Sequence, residues 1–329
     1  MGPFRLHTRR RKAVVVLAFL LASAALFANT FRASPLPEPA PFAGEIPHAT
    51  PPADMAVFGL VTGVTHRSAG FGYRGGSLLD ARDFAMAAIL VKHPHGDLLI
   101  DAGLGVQIDA QVQLMPFWFR ATTRYTRARS AAEQLEAAGY DQRALRGILL
   151  THAHWDHASG LSEFPRTPVW VTAAEHRFIA EGGWITAVAR SVDGARYEEY
   201  GFEGGPYLGF PASHDVYGDG AVVVVPAPGH TPGSVVVFLT LPNGKRYALL
   251  GDMVWQREGI TLREERAWLL RAFADSDASA VRDGILHVAA IKARMPEMTL
   301  IPAHDLRGYA EIPTLPSMPG PSQGPPATR

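Results

Sequence analysis

Ile148-Leu-Leu-Thr-His152-Ala-His154-Trp-Asp156-His157 is the stretch on which the reading of this chain turns. Three imidazoles and one carboxylate fall within six positions, directly after a short apolar run. Such a run, bounded by polar residues, reads as a buried strand. Side chains two apart on an extended segment face the same way, so His152 and His154 can converge on one ion. Asp156 and His157 follow where the chain turns, placed to serve a second ion. Histidines also gather idly in exposed turns. This cluster instead follows a buried strand and ends at the strand-to-loop junction Ala158-Ser159-Gly160, so a metal site is expected.

The same form, a strand and then a ligand-type residue in a turn, recurs along the chain. Leu98 to Ile100 leads to Asp101-Ala-Gly103, and Ala221 to Val225 leads through Pro226 to Gly229-His230-Thr-Pro-Gly233. Tyr247 to Leu250 leads to Gly251-Asp252, and Thr299 to Ile301 leads to Pro302-Ala-His304. Each alone is weak, because Asp or His at a strand end is common. Together they gather ligands at one edge of a layered sheet. Further strands are expected over Met55–Val64, Phe84–Val91, Val169–Val171 and Ser234–Leu239. A hairpin turn is expected at Pro94-His95-Gly96 and a glycine-rich loop from Gly70 to Gly76. Ser130 to Ala138 reads as a helix with Glu133 completing a capping box and Gly139 closing it. Helices are also expected over Arg263–Phe273 and Ala278–Arg294. Hairpins mixed with crossovers mean a layered α/β (α+β) architecture, with sheets needing cover on both faces.

Composition narrows the function classes. Lys+Arg and Asp+Glu balance at 31 each over 329 residues, which removes the electrostatic footprint of a nucleic-acid binder. With 47% apolar and 19% charged residues the chain can bury a large core. There is no cysteine, which excludes disulfides, zinc-thiolate sites, Fe–S clusters and thiol nucleophiles.

The ends differ from the middle. Arg5 and Arg9 to Lys12 form a basic region, Ala13 to Leu21 an apolar one, and Ala22-Ser23-Ala24 a small-x-small cleavage pattern. Residues 1–28 therefore read first as a cleaved secretory signal, and second as an uncleaved membrane anchor. Either places the body outside the cytoplasm, periplasmic or extracellular, with a membrane met only through the N-terminus. Residues 29–54 are proline-rich and read as an extended linker. The body runs over 55–310 as a single domain, and 311–329 reads as a disordered Pro-rich tail.

The ligand set resembles the metallo-β-lactamase-fold hydrolase superfamily, whose hallmark is His-x-His-x-Asp-His followed by a distant His, an Asp and a final His. The match extends from Met55 to Ala310. The resemblance implies an αββα sandwich. It also implies that His152, His154 and His230 hold one metal, that Asp156, His157 and His304 hold the other, and that Asp252 bridges them. Asp101 matches the family's first Asp motif, which steadies the ligand loop without ligating. Two divalent ions are implied; imidazole and carboxylate ligands without thiolate suit Zn²⁺ and also accommodate Mn²⁺ or Fe. Such a pair holds a bridging hydroxide that attacks an acyl or phosphoryl centre, with Asp156 and Asp252 as the carboxylates nearest the reaction.

Within the superfamily the chain is most similar to the lactonase, glyoxalase II and organophosphate-hydrolase group. Leu250-Gly-Asp252 supplies the bridging Asp that cysteine-free β-lactamases normally lack. One position departs from the acyl-homoserine lactonases: Trp255 stands where they carry a Tyr, three residues after the bridging Asp. An indole N–H donates one hydrogen bond but does not act as a phenol does. The expected activity is cleavage of a lactone or carboxylic ester of small-molecule size. β-Lactams, thioesters, phosphotriesters and a non-catalytic metal-binding role are the alternatives.

Other residues are given plainer parts. His93 and His95 imitate a His-x-His pair but read as a solvated hairpin turn. His176 and His287 are expected on helices as surface or packing residues, His66 and His214 in loops, and Asp305 as a cap. Met115-Pro-Phe117-Trp118-Phe119 reads as core ahead of a lid lining an apolar pocket, to which Trp255 would also contribute.

Overall fold

The structure is a computed structural model describing residues 4–316, with side chains from residue 11 onward. Among the described residues, twelve strands form two sheets. The first runs β4-β1-β2-β3-β5-β6-β7, with β1 Ala56–Ser68, β2 Ala81–Lys92, β3 Asp97–Ile100, β4 Tyr125–Arg127, β5 Leu145–Leu149, β6 Val169–Thr172 and β7 Tyr197–Tyr200. The second runs β12-β11-β10-β9-β8, with β8 His214–Asp215, β9 Val222–Pro226, β10 Val235–Thr240, β11 Arg246–Gly251 and β12 Thr299–Pro302.

Period-two alternation builds the layers. Val222, Val224, Val235, Val237 and Leu239 face the first sheet and pack against Ala85, Ile89, Leu98 and Leu149. Their neighbours Val223, Val225, Val236 and Phe238 face outward, under Val281, Ile285, Val288 and Ile291 of the helix Ala278–Arg294. The outer face of the first sheet is covered by Leu135 and Ile179, from helices Ala131–Ala137 and Ala173–Glu181. Helix, sheet, sheet and helix give the αββα sandwich.

Parallel pairing of β3 with β5 and of β11 with β12 brings their C-terminal ends to one edge. Asp101, the His152–His157 loop, Asp252 and His304 follow those four ends. The expected ligand edge is thus a consequence of topology.

Several expectations need correction. The helix read over Arg263–Phe273 forms only over Trp268–Ala274. Arg263 adopts φ 53°, and Glu264, Glu265 and Arg266 turn inward and are buried, so the chain there is a tie rather than a surface helix. His66 and His214 lie on β1 and β8, not in loops. His93 is not solvated; its ring is buried at the hairpin between β2 and β3.

The linker segment does not hang free either. Thr30 and Phe31 are buried, Ser34 N–H donates to the Glu264 carboxylate at 2.8 and 3.0 Å, and Leu36 and Phe42 pack on the outer core. At the other end Ile312 is buried, and Gly59 N–H donates to Pro313 O, so ordered packing continues past residue 310. The rest of the expected tail, 317–329, lies outside the described residues.

Candidate metal centre

All seven expected ligand residues are buried at the shared strand edge. Their ligand atoms fall into two compact groups. His152, His154, His230 and Asp252 offer atoms within 4.8 Å of one another, and so do Asp156, His157 and His304. Asp252 joins the two. Its Oδ2 lies 3.4 Å from His230 Nε2 and 3.1 Å from His304 Nε2, and its Oδ1 lies 3.4 Å from His157 Nε2. Asp156 Oδ2 is 3.4 Å from His304 Nε2.

Buried polar atoms almost always find partners. Here His152 Nε2, His154 Nε2 and Asp252 Oδ1 have none, and His230 Nε2 approaches His154 Nδ1 to 2.9 Å. Several lone pairs gathered without donors, in a site of low dielectric, suit a divalent cation and little else. The donor set therefore fits the implied metals.

The surroundings fix which ring nitrogen is offered. His157 Nδ1 donates to Asp101 Oδ2 at 2.8 Å, turning its Nε2 inward. Asp101 also accepts from Thr151 N–H at 2.7 Å and Thr151 Oγ1 at 2.8 Å. It holds φ 58° at the end of β3, a costly conformation for a non-glycine residue and one that clusters at functional sites. Asp101 thus steadies the ligand loop. His304 Nδ1 donates to Ala85 O at 2.7 Å, and His230 Nδ1 meets Asp275 Oδ1 at 3.1 Å.

Charge follows from these contacts. Burial, then the neighbouring imidazoles, hold His152 and His154 well below the ordinary histidine range, so both present lone pairs. Burial acts in the same sense on His157, but the Asp101 carboxylate outweighs it and the pKa lies well above the ordinary value. His304 is raised by Asp252 in the same contest. Burial would raise Asp252, yet His304 and His157 hold it well below the usual carboxylate range. Burial keeps Asp156 above that range.

Glu175, and the pair of Arg266 with Asp275, were not anticipated as supports of the site. Glu175 is buried, its Oε1 accepting from Ala153 N–H at 2.7 Å and its Oε2 from Thr231 Oγ1 at 2.6 Å and Gly233 N–H at 3.0 Å. One carboxylate thereby clamps the loop of His152 and His154 to the loop of His230. Gly233 permits the approach, since a Cβ there would meet Glu175 N at 2.3 Å. Thr172-x-x-Glu175 reads as a helix start, and nothing in it signals burial. Arg266 pairs with Asp275 and donates to the Asp252 and Met253 carbonyls, in a stretch that reads as helix. Asp305 caps the following turn as expected, accepting from Arg307 N–H at 3.1 Å.

The pocket aromatics separate into two sets. Trp255 Nε1 donates to Asp252 Oδ2 at 2.8 Å, with Arg266 over its ring at 4.7 Å. Its place is therefore at the shared carboxylate. Phe119 lies edge-on to Trp155 of the histidine cluster at 5.8 Å, and Trp118 to Trp184 at 5.2 Å. Phe117 and Trp118 are 77% and 48% exposed. The core reading of this segment holds for Met115 and fails for those two.

A profile of the metallo-beta-lactamase superfamily matches residues 82–304. The chain belongs to that superfamily and is a metal-dependent hydrolase. It is 31% identical to a probable metallo-hydrolase of Mycobacterium tuberculosis over 231 residues, 66% of this chain and 73% of the relative. It is 24% identical to the N-acyl homoserine lactonase AttM of Agrobacterium fabrum over 232 residues, 68% of this chain and 82% of the relative. Among solved structures it resembles an N-acyl homoserine lactone hydrolase with N-hexanoyl-L-homoserine at its catalytic metal centre. That likeness has TM-score 0.62 and 15% identity, over 79% of this chain and 97% of the other, and it supports the fold.

Proposed function

We propose that the chain is a dinuclear hydrolase that opens a lactone or cleaves a carboxylic ester, with His152, His154 and His230 holding one divalent ion, Asp156, His157 and His304 the other, and Asp252 shared. The observation that carries this is the single Asp252 carboxylate lying within 3.4 Å of ring nitrogens from both groups. Bound divalent metal supplies Lewis acidity and a water of lowered pKa. Zinc suits the thiol-free imidazole and carboxylate set.

The chain's own residues do the rest. Asp101 and Asp275 orient His157 and His230, and Glu175 holds the two ligand loops in register. Trp255 Nε1–H donates to Asp252 Oδ2, the oxygen beside His230 and His304, and so fixes the orientation of the shared carboxylate. Two carboxylates, Asp156 and Asp252, make the second group an oxygen-rich seat, favouring an ester or lactone oxygen over an amide nitrogen. The AttM relatives named as lactonases support the same substrate class.

The test is a hydrolysis screen of the metal-loaded protein over lactones, aryl esters, thioesters, phosphotriesters and β-lactams. kcat/KM is expected to be highest for lactones or aryl esters. A preference for penicillins or cephalosporins over every ester and lactone would overturn the substrate class.

A further inference from the structure

The face of the body beside the end of the N-terminal helix carries a rim of exposed apolar side chains that the metal centre does not explain. We propose that this helix stays in the chain as a membrane anchor, and that the rim seats in the bilayer interface so that the centre receives acyl compounds partitioned into the membrane. The substrate part rests on the ester and lactone reading above; the docking part does not.

The helix has the right length. The candidate span, Arg11–Thr30, is 20 residues with Arg11 and Lys12 at its start; at ~1.5 Å per residue it is about 30 Å long, against a hydrocarbon core of ~30 Å. Val14 to Leu17, Phe19 to Leu21, Leu26 and Phe27 are all exposed. Arg9 to Lys12 stand at its N-terminal end, and basic residues stay on the cytoplasmic side, which sends the body to the other.

The helix enters the body without slack. Thr30 Oγ1 accepts from Leu269 N–H at 3.1 Å. Phe31 is buried against Phe71 at 5.7 Å and its carbonyl accepts from Gly75 N–H. Arg32 O accepts from Arg74 Nε at 2.9 Å, and Ser34 and Leu36 are tied to Glu264 and Arg263. A free tether would let the body take any orientation. This junction fixes one, and the segments gripping residues 30–36 must face the bilayer.

Those segments carry the rim. Leu79 is 96% exposed and follows the Gly75 turn; Leu262 adjoins Arg263; Phe273 is 61% exposed on the helix that begins at Trp268. Trp118 packs on Phe273 at 5.9 Å and brings Phe117 beside it. Single exposed apolar residues are ordinary. Here they sit on segments that touch the helix exit or one another, and aromatic side chains favour the membrane–water interface. The rim is also continuous with the centre. Phe119 connects Trp118 to Trp155 of the histidine cluster, and Arg266, between Leu262 and Phe273, bonds the Asp252 carbonyl. A compound with its chain in lipid and its acyl head at the interface would reach the metals from this side.

Because the chain has no cysteine, single labels are clean. The full chain is reconstituted in phosphatidylcholine–phosphatidylglycerol vesicles carrying an environment-sensitive fluorophore at Phe273→Cys, at Leu79→Cys, or at Arg143→Cys on the opposite end. The rim labels should lose most of their emission to a nitroxide on the lipid chains and little to aqueous iodide; the Arg143 site should do the reverse. Iodide reaching all three equally would overturn the docking. Rim labels shielded from both quenchers would mean a second copy covers the rim, and would overturn it too. An intact mass beginning near Ala25, for chain isolated from host membranes, would overturn the anchor. Metal content and turnover of a water-soluble ester on the same samples report on the hydrolase assignment separately.

Discussion

Two His-x-His pairs stand at opposite ends of β3, and both have a buried histidine with carboxylates nearby. At the hairpin, His93 Nδ1 accepts from His95 N–H at 3.1 Å, its Nε2 meets Asp219 Oδ2 at 3.0 Å, and its ring stacks on Tyr217 at 3.6 Å. Every polar atom of that ring is satisfied by protein. At the other end His152 and His154 each keep a nitrogen without a partner. Burial does not distinguish His93 from His152 and His154; satisfaction does. A buried ring with both nitrogens engaged holds a turn together, whereas buried rings sharing unengaged lone pairs fit a cation.

Substitutions can break or sharpen this contrast. The largest effect is expected at the shared carboxylate. Removing a group that merely orients a ligand typically costs 10–100-fold, so Asp252→Ala should lower kcat/KM by at least about a hundredfold. Metal content should fall with it. A variant with full metal and near-normal turnover would show that Asp252 does not join the two groups.

Next is Glu175→Gln. All three partners of Glu175 are donors, and an amide nitrogen turned toward any of them leaves a buried donor unpaired. Metal affinity at the His152, His154 and His230 group should weaken about tenfold, a loss of the size seen for orienting partners, with the other group less affected. Equal weakening at both groups would mean the carboxylate serves general stability rather than loop register.

His93→Ala should act on the fold alone. Losing a buried, stacked and doubly hydrogen-bonded ring should cost about 2–3 kcal/mol in denaturant unfolding, while metal content per folded chain stays unchanged. Loss of metal from this variant would break the comparison. His95→Ala, on an exposed ring, should change stability by no more than about 0.5 kcal/mol.

What was legible in the sequence follows the same division. Strand-then-ligand segments announced themselves because period-two apolar runs and polar turn residues are local signals, and the order of the ligands carried the family resemblance. The helix Ala278–Arg294 and the Ser130–Glu133 capping box appear as read. Contacts between distant segments were not legible. Nothing local marks Glu175 as buried, Arg266 as turned inward to Asp275, or His93 as stacked beneath Tyr217, because the partners lie 56, 9 and 124 positions away in the chain. Proline-rich composition described the extended shape of residues 31–54 but not their packing, which depends on distant partners such as Glu264 and Arg263 at Ser34 and Leu36 and Arg246 at Pro47.

The central claim, two metal sites sharing Asp252, is tested most directly by counting metal in the purified protein and in His304→Ala. The account expects two ions per chain in the unaltered protein. It expects about one in the variant, held by His152, His154 and His230, because the second group then keeps only Asp156 and His157 beside the shared carboxylate. A single ion in the unaltered chain, or two undiminished in His304→Ala, would contradict it.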